Sequence, residues 1–496
     1  MTRRPARPYA AAVCGALLAG DLLLGGLSIA PAGPVLQAVV TYDGPAVTVP
    51  GAHVVVALPG LHAAVVRGQA GALRRLAGTP GVRGLAPDDR VGLTGDTDRG
   101  PEGVLASRGL GGQAGRPGAG AGVRVAVVDT GVSDTAALDR TSGRLVDAAD
   151  ASGVADGQPV GTGGRYDDGY GHGTFMAGLV AGGPVQGTGG RAIGVAPAAT
   201  VLVVRVARPD GTTSLSQVLG GLSWVAEHAD QVDVVNLSFS HQRPADGYGA
   251  DPLTDAVERL RTEGVVVVAS AGNVPGTVGD PGLDPQALTV GAADLATHRT
   301  ASFSGSATVA GVAKPDLVAS GVHLLGVLPA GSVLARDPGT ADPRGNLVRG
   351  TGTSQATAVT SGLAALLLAD HPTATPAQVK ASLRCAARPL PGHRDGAGLA
   401  RAARELCSGP DGVALDGSGD VTGEGTFDAS SWAASSWAAS SWAASSWAAS
   451  SWAASSWAAS SWAASSWAAS SWAASSSAAS SWAASSWAVV DRKAAP

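Results

Sequence analysis

Lysine, methionine and phenylalanine are scarce in this sequence of 496 residues, which holds three lysines (Lys314, Lys380, Lys493), 2 methionines and 4 phenylalanines. Charged residues make up 15% and the net charge is only -5, so no basic surface recommends nucleic acid or an anionic membrane as a partner. Aromatic content is 4%, yet 12 residues are tryptophan and all but Trp224 lie beyond residue 430. The C-terminal stretch is therefore compositionally separate from the rest. The chain closes on AVVDRKAAP without an apolar run that could span a bilayer, so a C-terminal membrane anchor is not expected. Cysteine is sparse as well, with 3 in all.

What is present begins with an address. Arg3, Arg4 and Arg7 precede the apolar run AAVCGALLAGDLLLGGLSIA, and Ala30-Pro31-Ala32 offers a small-residue cleavage site. Residues 1–32 read as a secretory signal. Cys14 leaves with it. Cys385 and Cys407 remain as an even pair in an exported chain, read as a disulfide, with two free thiols as the alternative.

Residues 33–97 alternate short β-rich pieces with one helical pattern in HAAVVRGQAGALRRLAGTPGV, which suggests a small strand–helix–strand unit. The glycine-rich RGLGGQAGRPGAGAG then has little to pack. From Val123 onward VRVAVV, TVLVVRV, VDVVNLSF, GVVVVAS and ALTVGAA are continuous apolar runs, as central strands covered on both faces require. Helical patterns such as SLSQVLGGLSWVAEHA and DPLTDAVERLRTEG separate them. The expected fold class is α/β, with three α/β/α layers and a mainly parallel central sheet across residues 98–407. Residues 408–429 form a linker, and SSWAA then recurs every five residues through 430–496, once with Ser477 in place of tryptophan. A period of five gathers tryptophans on one face of neither a helix nor a strand, so a low-complexity extended chain is expected.

Four stretches carry chemistry. Asp129 ends the apolar run of VAVVDTGV. The triplet DTG also marks aspartic proteases, but those need two such carboxylates and this chain has one triplet. His172 sits between glycines in GHGTFMAGLVAG, either a ring brought close to a strand end or merely part of a glycine-rich turn. Ser354, in GTSQAT, stands where a long apolar helix begins, as a cap or as a nucleophile beside free N–H groups. Asn273 ends VVVVASAGN, as a turn residue or as an amide able to donate to an oxyanion. Asp, His and Ser occur in the order found in subtilisin, which differs from the orders of chymotrypsin and the α/β-hydrolases.

Together these stretches resemble the subtilase family of serine peptidases, from about Val123 to Cys407. The resemblance implies a secreted serine endopeptidase made as a zymogen. Ser354 would attack, His172 would carry the proton, Asp129 would orient the ring, and Asn273 with the Ser354 N–H would bind the oxyanion. Ser238, Phe239 and Ser240 resemble the strand on which substrate pairs, with Gly211 to Ser214 on the other side. Ser270, Ala271 and Gly272 would wall the pocket for the residue before the cut. Val274 suggests an apolar or broad preference there. Gln355 and Ala358 depart from the family's usual Met and Pro.

Residues 33–97 resemble, more loosely, the inhibitory propeptide of these enzymes. The implied partners are protein or peptide substrates and the chain's own propeptide, with no nucleic acid. No cofactor is required. Calcium, which many subtilases bind structurally, is left unassigned because no aspartate cluster has a ligand spacing. A competing expectation is a catalytically silent scaffold that binds the cell surface, its eleven tail tryptophans stacking on cell-wall glycan.

Overall fold

The computed structural model describes residues 34–44, 49–100, 103–241, 251–309, 312–343, 347–391 and 394–407. The expected signal (1–32), linker (408–429) and SSWAA repeat (430–496) lie outside the described residues.

Among the described residues, the main sheet has eight strands. Its path runs Arg299–Thr300, Leu288–Asp294, Val266–Ser270, Val234–Leu237, Arg124–Asp129, Thr200–Arg205 and Leu145–Asp150, with Leu317–Ser320 also along Leu288–Asp294. Every pairing is parallel except that of the short Arg299–Thr300. Chain order reverses at Arg124–Asp129, where the sequence proceeds first to one side of the sheet and then to the other. Ligands of such sheets sit beyond the carboxyl ends of the strands at that reversal, which is where Asp129 lies.

The apolar runs are continuous because both faces are covered. Val125, Val127, Val201 and Val203 pack against helices on one face, His172–Ala181 and Thr353–Asp370. Ala126, Val128, Leu202 and Val204 pack on the other against Leu215–Glu227 and Pro252–Thr262. The last of these starts where the Asp251 side chain accepts the Leu253 N–H, and stops at Gly264, whose φ of 89° breaks the helix. Three layers result, as expected from the sequence. Among the described residues, no helix is long and apolar enough to cross a membrane.

The region before it differs from the strand–helix–strand expectation. Four antiparallel strands, in the order Ala52–Leu58, Ala63–Gln69, Val35–Tyr42, Val82–Pro87, carry one helix, Ala70–Ala77. AAVVRGQ, expected within the helical pattern, is strand because Ala63 to Gln69 alternate between two buried faces: Ala64 and Val66 meet the helix, while Ala63 and Val65 face the larger region. Gly60 touches that region so closely that a Cβ there would lie 2.2 Å from the Ser223 carbonyl oxygen. Its N–H donates to Ser223 Oγ at 3.1 Å and to Glu227 Oε1 at 3.0 Å. Cys385 and Cys407 are joined as a disulfide.

Candidate active site

Asp129 closes its strand, His172 opens one helix, and Ser354 is the second residue of another. Ser354 is not the helix cap, since Gly352 holds that position and no side chain caps it. All three are buried. The ring of His172 places Nδ1 2.8 and 3.0 Å from the two carboxylate oxygens of Asp129. A carboxylate only accepts, so Nδ1 carries the proton and Nε2 offers a lone pair. That Nε2 lies 3.1 Å from Ser354 Oγ. The close seat of His172 depends on its neighbour Gly173, where a Cβ would stand 2.1 Å from the Gly131 carbonyl oxygen. Burial disfavours a charged ring, and the Asp129 carboxylate, with Asp168 and Asp96 farther off, favours it. The carboxylates prevail and hold the His172 pKa above the ordinary histidine value.

Asn273 is fixed by its oxygen. Its Oδ1 accepts the Thr353 N–H at 3.0 Å and the Thr353 hydroxyl at 2.9 Å, which turns Nδ2 into the cleft. There Nδ2 donates at 2.8 Å to the carbonyl of Thr94, and the Ser354 N–H donates to the same oxygen at 3.1 Å. A backbone carbonyl of the chain itself thus sits between the two donors expected to serve an oxyanion, at the N-terminal end of an 18-residue helix.

The stretch around Thr94 is threaded through the cleft as an extended peptide. Arg90–Leu93 is the middle strand of three, antiparallel to Phe239–Ser240 on one side and Thr213–Ser214 on the other. Past Thr94, Gly95–Thr97 pairs with Leu347–Gly352. The expected substrate strand at Ser238, Phe239 and Ser240 is occupied in this way: Leu93 faces Phe239, Gly92 faces Ser240, and the Ser238 carbonyl accepts the Thr94 N–H at 3.3 Å. The same carbonyl lies 2.8 Å from Ser354 Oγ, so the single Ser354 hydroxyl proton has both this carbonyl and His172 Nε2 within reach as acceptors. Of the expected pocket residues, Ser270 Oγ accepts the Thr94 hydroxyl at 2.8 Å, and Ala271 and Gly272 continue the chain behind it. Thr94 Oγ1 also lies 2.9 Å from Ser354 Oγ. Val274 is exposed.

Sequence reasoning missed Asp168. It is buried beneath the site, where Oδ1 accepts from Thr130 Oγ1 (2.8 Å), Tyr170 N (3.0 Å) and Gly171 N (2.7 Å). Its Oδ2 accepts from Thr174 N and Thr174 Oγ1, both at 2.8 Å. Thr130 Oγ1 in turn accepts the Gly173 N–H at 2.8 Å. Asp168 thereby ties the turn after Asp129 to the helix start that carries His172. Burial pushes its carboxyl up against the pull of these donors. The signal was an acid four residues before a histidine in a glycine-rich turn, a spacing that suits side-chain-to-backbone capping. Among the described residues, no group of three or more His, Cys, Asp or Glu side chains could hold a metal ion. Asp134 and Asp147 close on the Arg140 guanidinium instead, at 2.8 and 2.5 Å.

Residues 120–405 match the model of the subtilase family. The chain is 32% identical over 281 residues to serine protease AprX of Bacillus subtilis (strain 168), a match that covers 53% of this chain and 61% of AprX. It is 32% identical over 273 residues to subtilisin E of the same organism, covering 54% of this chain and 61% of that one. Against a subtilisin of Bacillus pumilus the identity is again 32%, covering 54% of this chain and 84% of the relative. The chain thus spans 61% of the length of the first two. In fold it is similar to fervidolysin from Fervidobacterium pennivorans, a keratinolytic enzyme related to subtilisin, with a TM-score of 0.54 at 22% identity, over 75% of this chain and 61% of that one.

Proposed function

The chain belongs to the subtilase family, and on that premise we propose that it is a secreted serine endopeptidase made as a zymogen that cuts its own Thr94–Gly95 bond. One observation carries this reading. His172 bridges Asp129 and Ser354 while the Thr94 carbonyl receives both Asn273 Nδ2 and the Ser354 N–H. Residues up to Thr94 are then the inhibitory propeptide and Gly95 the first mature residue, three positions before the boundary at 97 expected from the sequence.

The geometry supports the following steps. Ser354 Oγ attacks the Thr94 carbonyl carbon as its proton passes to His172 Nε2. Asp129, on Nδ1, keeps the ring in the required tautomer and stabilises the imidazolium. The carbonyl oxygen gains charge where two N–H groups already point at it, so no reorganisation is needed, and loss of one such donor slows acyl transfer by about 10²–10³-fold. The C–N bond breaks, His172 returns the proton to the Gly95 nitrogen, and the Thr94 ester on Ser354 is hydrolysed by water. Because the His172 pKa lies above the ordinary value, cleavage weakens as pH falls through that raised value and the ring loses its lone pair. Other proteins or peptides would enter as Arg90–Leu93 does, as a strand between two strands.

The test is the mass of the purified chain, wild type beside Ser354→Ala. The wild type should convert to a form beginning at Gly95 that a fluorophosphonate labels, and the variant should remain joined and unlabelled. Conversion of purified Ser354→Ala at wild-type speed would overturn the reading.

A further inference from the structure

We propose that Gln355 restricts this enzyme to bonds followed by glycine, a specificity role that rests on the peptidase reading above. The residue after Ser354 is buried, and its side chain lies against the leaving side of the threaded peptide. Gln355 Nε2 donates at 3.3 Å to the carbonyl of Asp96, the second residue after the bond. Its Oε1 is buried without a hydrogen-bond partner. A Cβ built on Gly95 would stand 2.5 Å from that oxygen and 3.0 Å from Nε2, with Ser354 Cβ at 2.7 Å.

A long side chain can usually swing away from such an overlap, but this one is hemmed in. A Cβ on Gly350 would lie 2.7 Å from Gln355 Nε2, and one on Gly352 would lie 2.9 Å from Oε1, so the amide already lies close along the backbone of the strand Leu347–Gly352. Turning it outward would give up the bond to the Asp96 carbonyl and press it on those neighbours. The amide therefore does two things for a chain in the cleft: it holds the leaving segment by its backbone and leaves no room for a side chain next to the bond. A methionine, the residue the family usually has here, could not donate that bond.

The experiment is a double-mutant comparison in the full chain. Conversion to the mature form is timed by mass spectrometry for wild type, Gly95→Ala, Gln355→Ala and the doubly substituted chain. In the Gln355 background, Gly95→Ala should slow cleavage of the bond after Thr94 by about tenfold or more, the scale on which one methyl group is discriminated. In the Gln355→Ala background the same change should slow it by less than about threefold. A background that yields no mature enzyme even with Gly95 intact is replaced by Gln355→Ser. Equal slowing in both backgrounds would assign the restriction to Ser354 or the backbone and overturn the proposal, as would no slowing at all. A wild-type chain never cut after Thr94 would instead sink the peptidase reading, and this inference with it.

Discussion

The eight-stranded region and the four-stranded region before it bury their apolar residues in opposite ways. The larger covers both faces of its sheet with helices from its own sequence and holds a core on each side. The smaller has one helix for two faces. Under Ala70–Ala77 it keeps a private core of eight buried residues, among them Val40, Val66, Leu73, Leu76 and Leu85. Its other face carries Val39, Leu58, Leu61, Val65 and Ala86 into the same cluster as Leu215, Leu219, Leu253 and Val257 of the larger. A unit this small gains little from its own core, and here part of what it buries is lent by its neighbour. One region holds its site in place; the other is held by it. That asymmetry fits the propeptide role proposed above, in which the segment fills the cleft and is then cut away.

The comparison breaks most completely if the chemistry of the larger region is removed while the fit of the smaller is left intact. Asp129→Asn preserves volume but makes the Nδ1 partner ambiguous between donor and acceptor, so Nε2 is no longer secured as the base. Conversion after Thr94 should slow by about 10⁴-fold. Timed conversion by mass spectrometry checks this, with fluorophosphonate labelling as a second readout. Protection of residues 34–93 from hydrogen exchange should match that in Ser354→Ala, because the hydrogen bonds of the Asp129 carboxylate go to Thr130 and His172. Loss of that protection would mean the two regions are coupled more deeply than their shared apolar face implies.

Much of this was legible in the sequence, and the limit is physical. Continuous valine runs identified strands covered on both faces, since a run such as VAVV must send alternate residues to opposite sides. The order Asp129, His172, Ser354 was legible because each stands at an element's end, where glycine and small residues mark the chain. Thr94 was not legible, because nothing about a threonine between leucine and glycine says that its carbonyl lies under a helix N-terminus 260 residues later. Asp168 was hidden for a related reason. Its role consists of accepting five N–H and O–H groups inside the protein, and a buried acceptor looks like any surface aspartate until its donors are assembled. Val274, from which an apolar or broad preference before the cut is expected, is exposed, and the group that reaches Ser270 is the hydroxyl of Thr94.

A more selective break targets the contact between the regions. In a Ser354→Ala background, where the chain stays joined, Gly60→Ala places a methyl group where the Ser223 carbonyl stands. The 3-10 turn Pro59–Leu61 must move off Leu215–Glu227, at an overpacking penalty of roughly 1–3 kcal/mol. Hydrogen exchange in residues 34–93 should speed up by about tenfold or more, while Arg124–Asp129 and its neighbours keep their protection. Equal loosening of both regions would show that the larger also leans on the smaller.

The finest probe is pH, through the helix Pro252–Thr262 that meets the small region. Asp255 on this helix accepts Thr41 Oγ1 at 2.7 Å and Arg83 at 2.6 Å, both from the small region. One turn on, burial, with Asp284 and Asp255 close by, raises the Glu258 pKa from 4.5 to about 7. An acid whose folded pKa lies above its unfolded value supports the folded form fully below the unfolded value and withdraws that support as pH rises through the folded one. Glu258 therefore weakens the assembled chain between pH 4.5 and about 7. Glu258→Gln keeps the shape and cannot ionise. In the Ser354→Ala background it should remove about 1 kcal/mol of the stability lost between pH 5 and pH 8, once solvent screening of this part-buried side chain is counted. Thermal unfolding at the two pH values reads the difference, and hydrogen exchange in residues 34–93 tells whether it falls on the contact or on the larger region. Because burial also raises Asp255, Asp168 and Asp284, some pH dependence should survive the substitution. An unchanged slope between the two pH values would remove Glu258 from its causes.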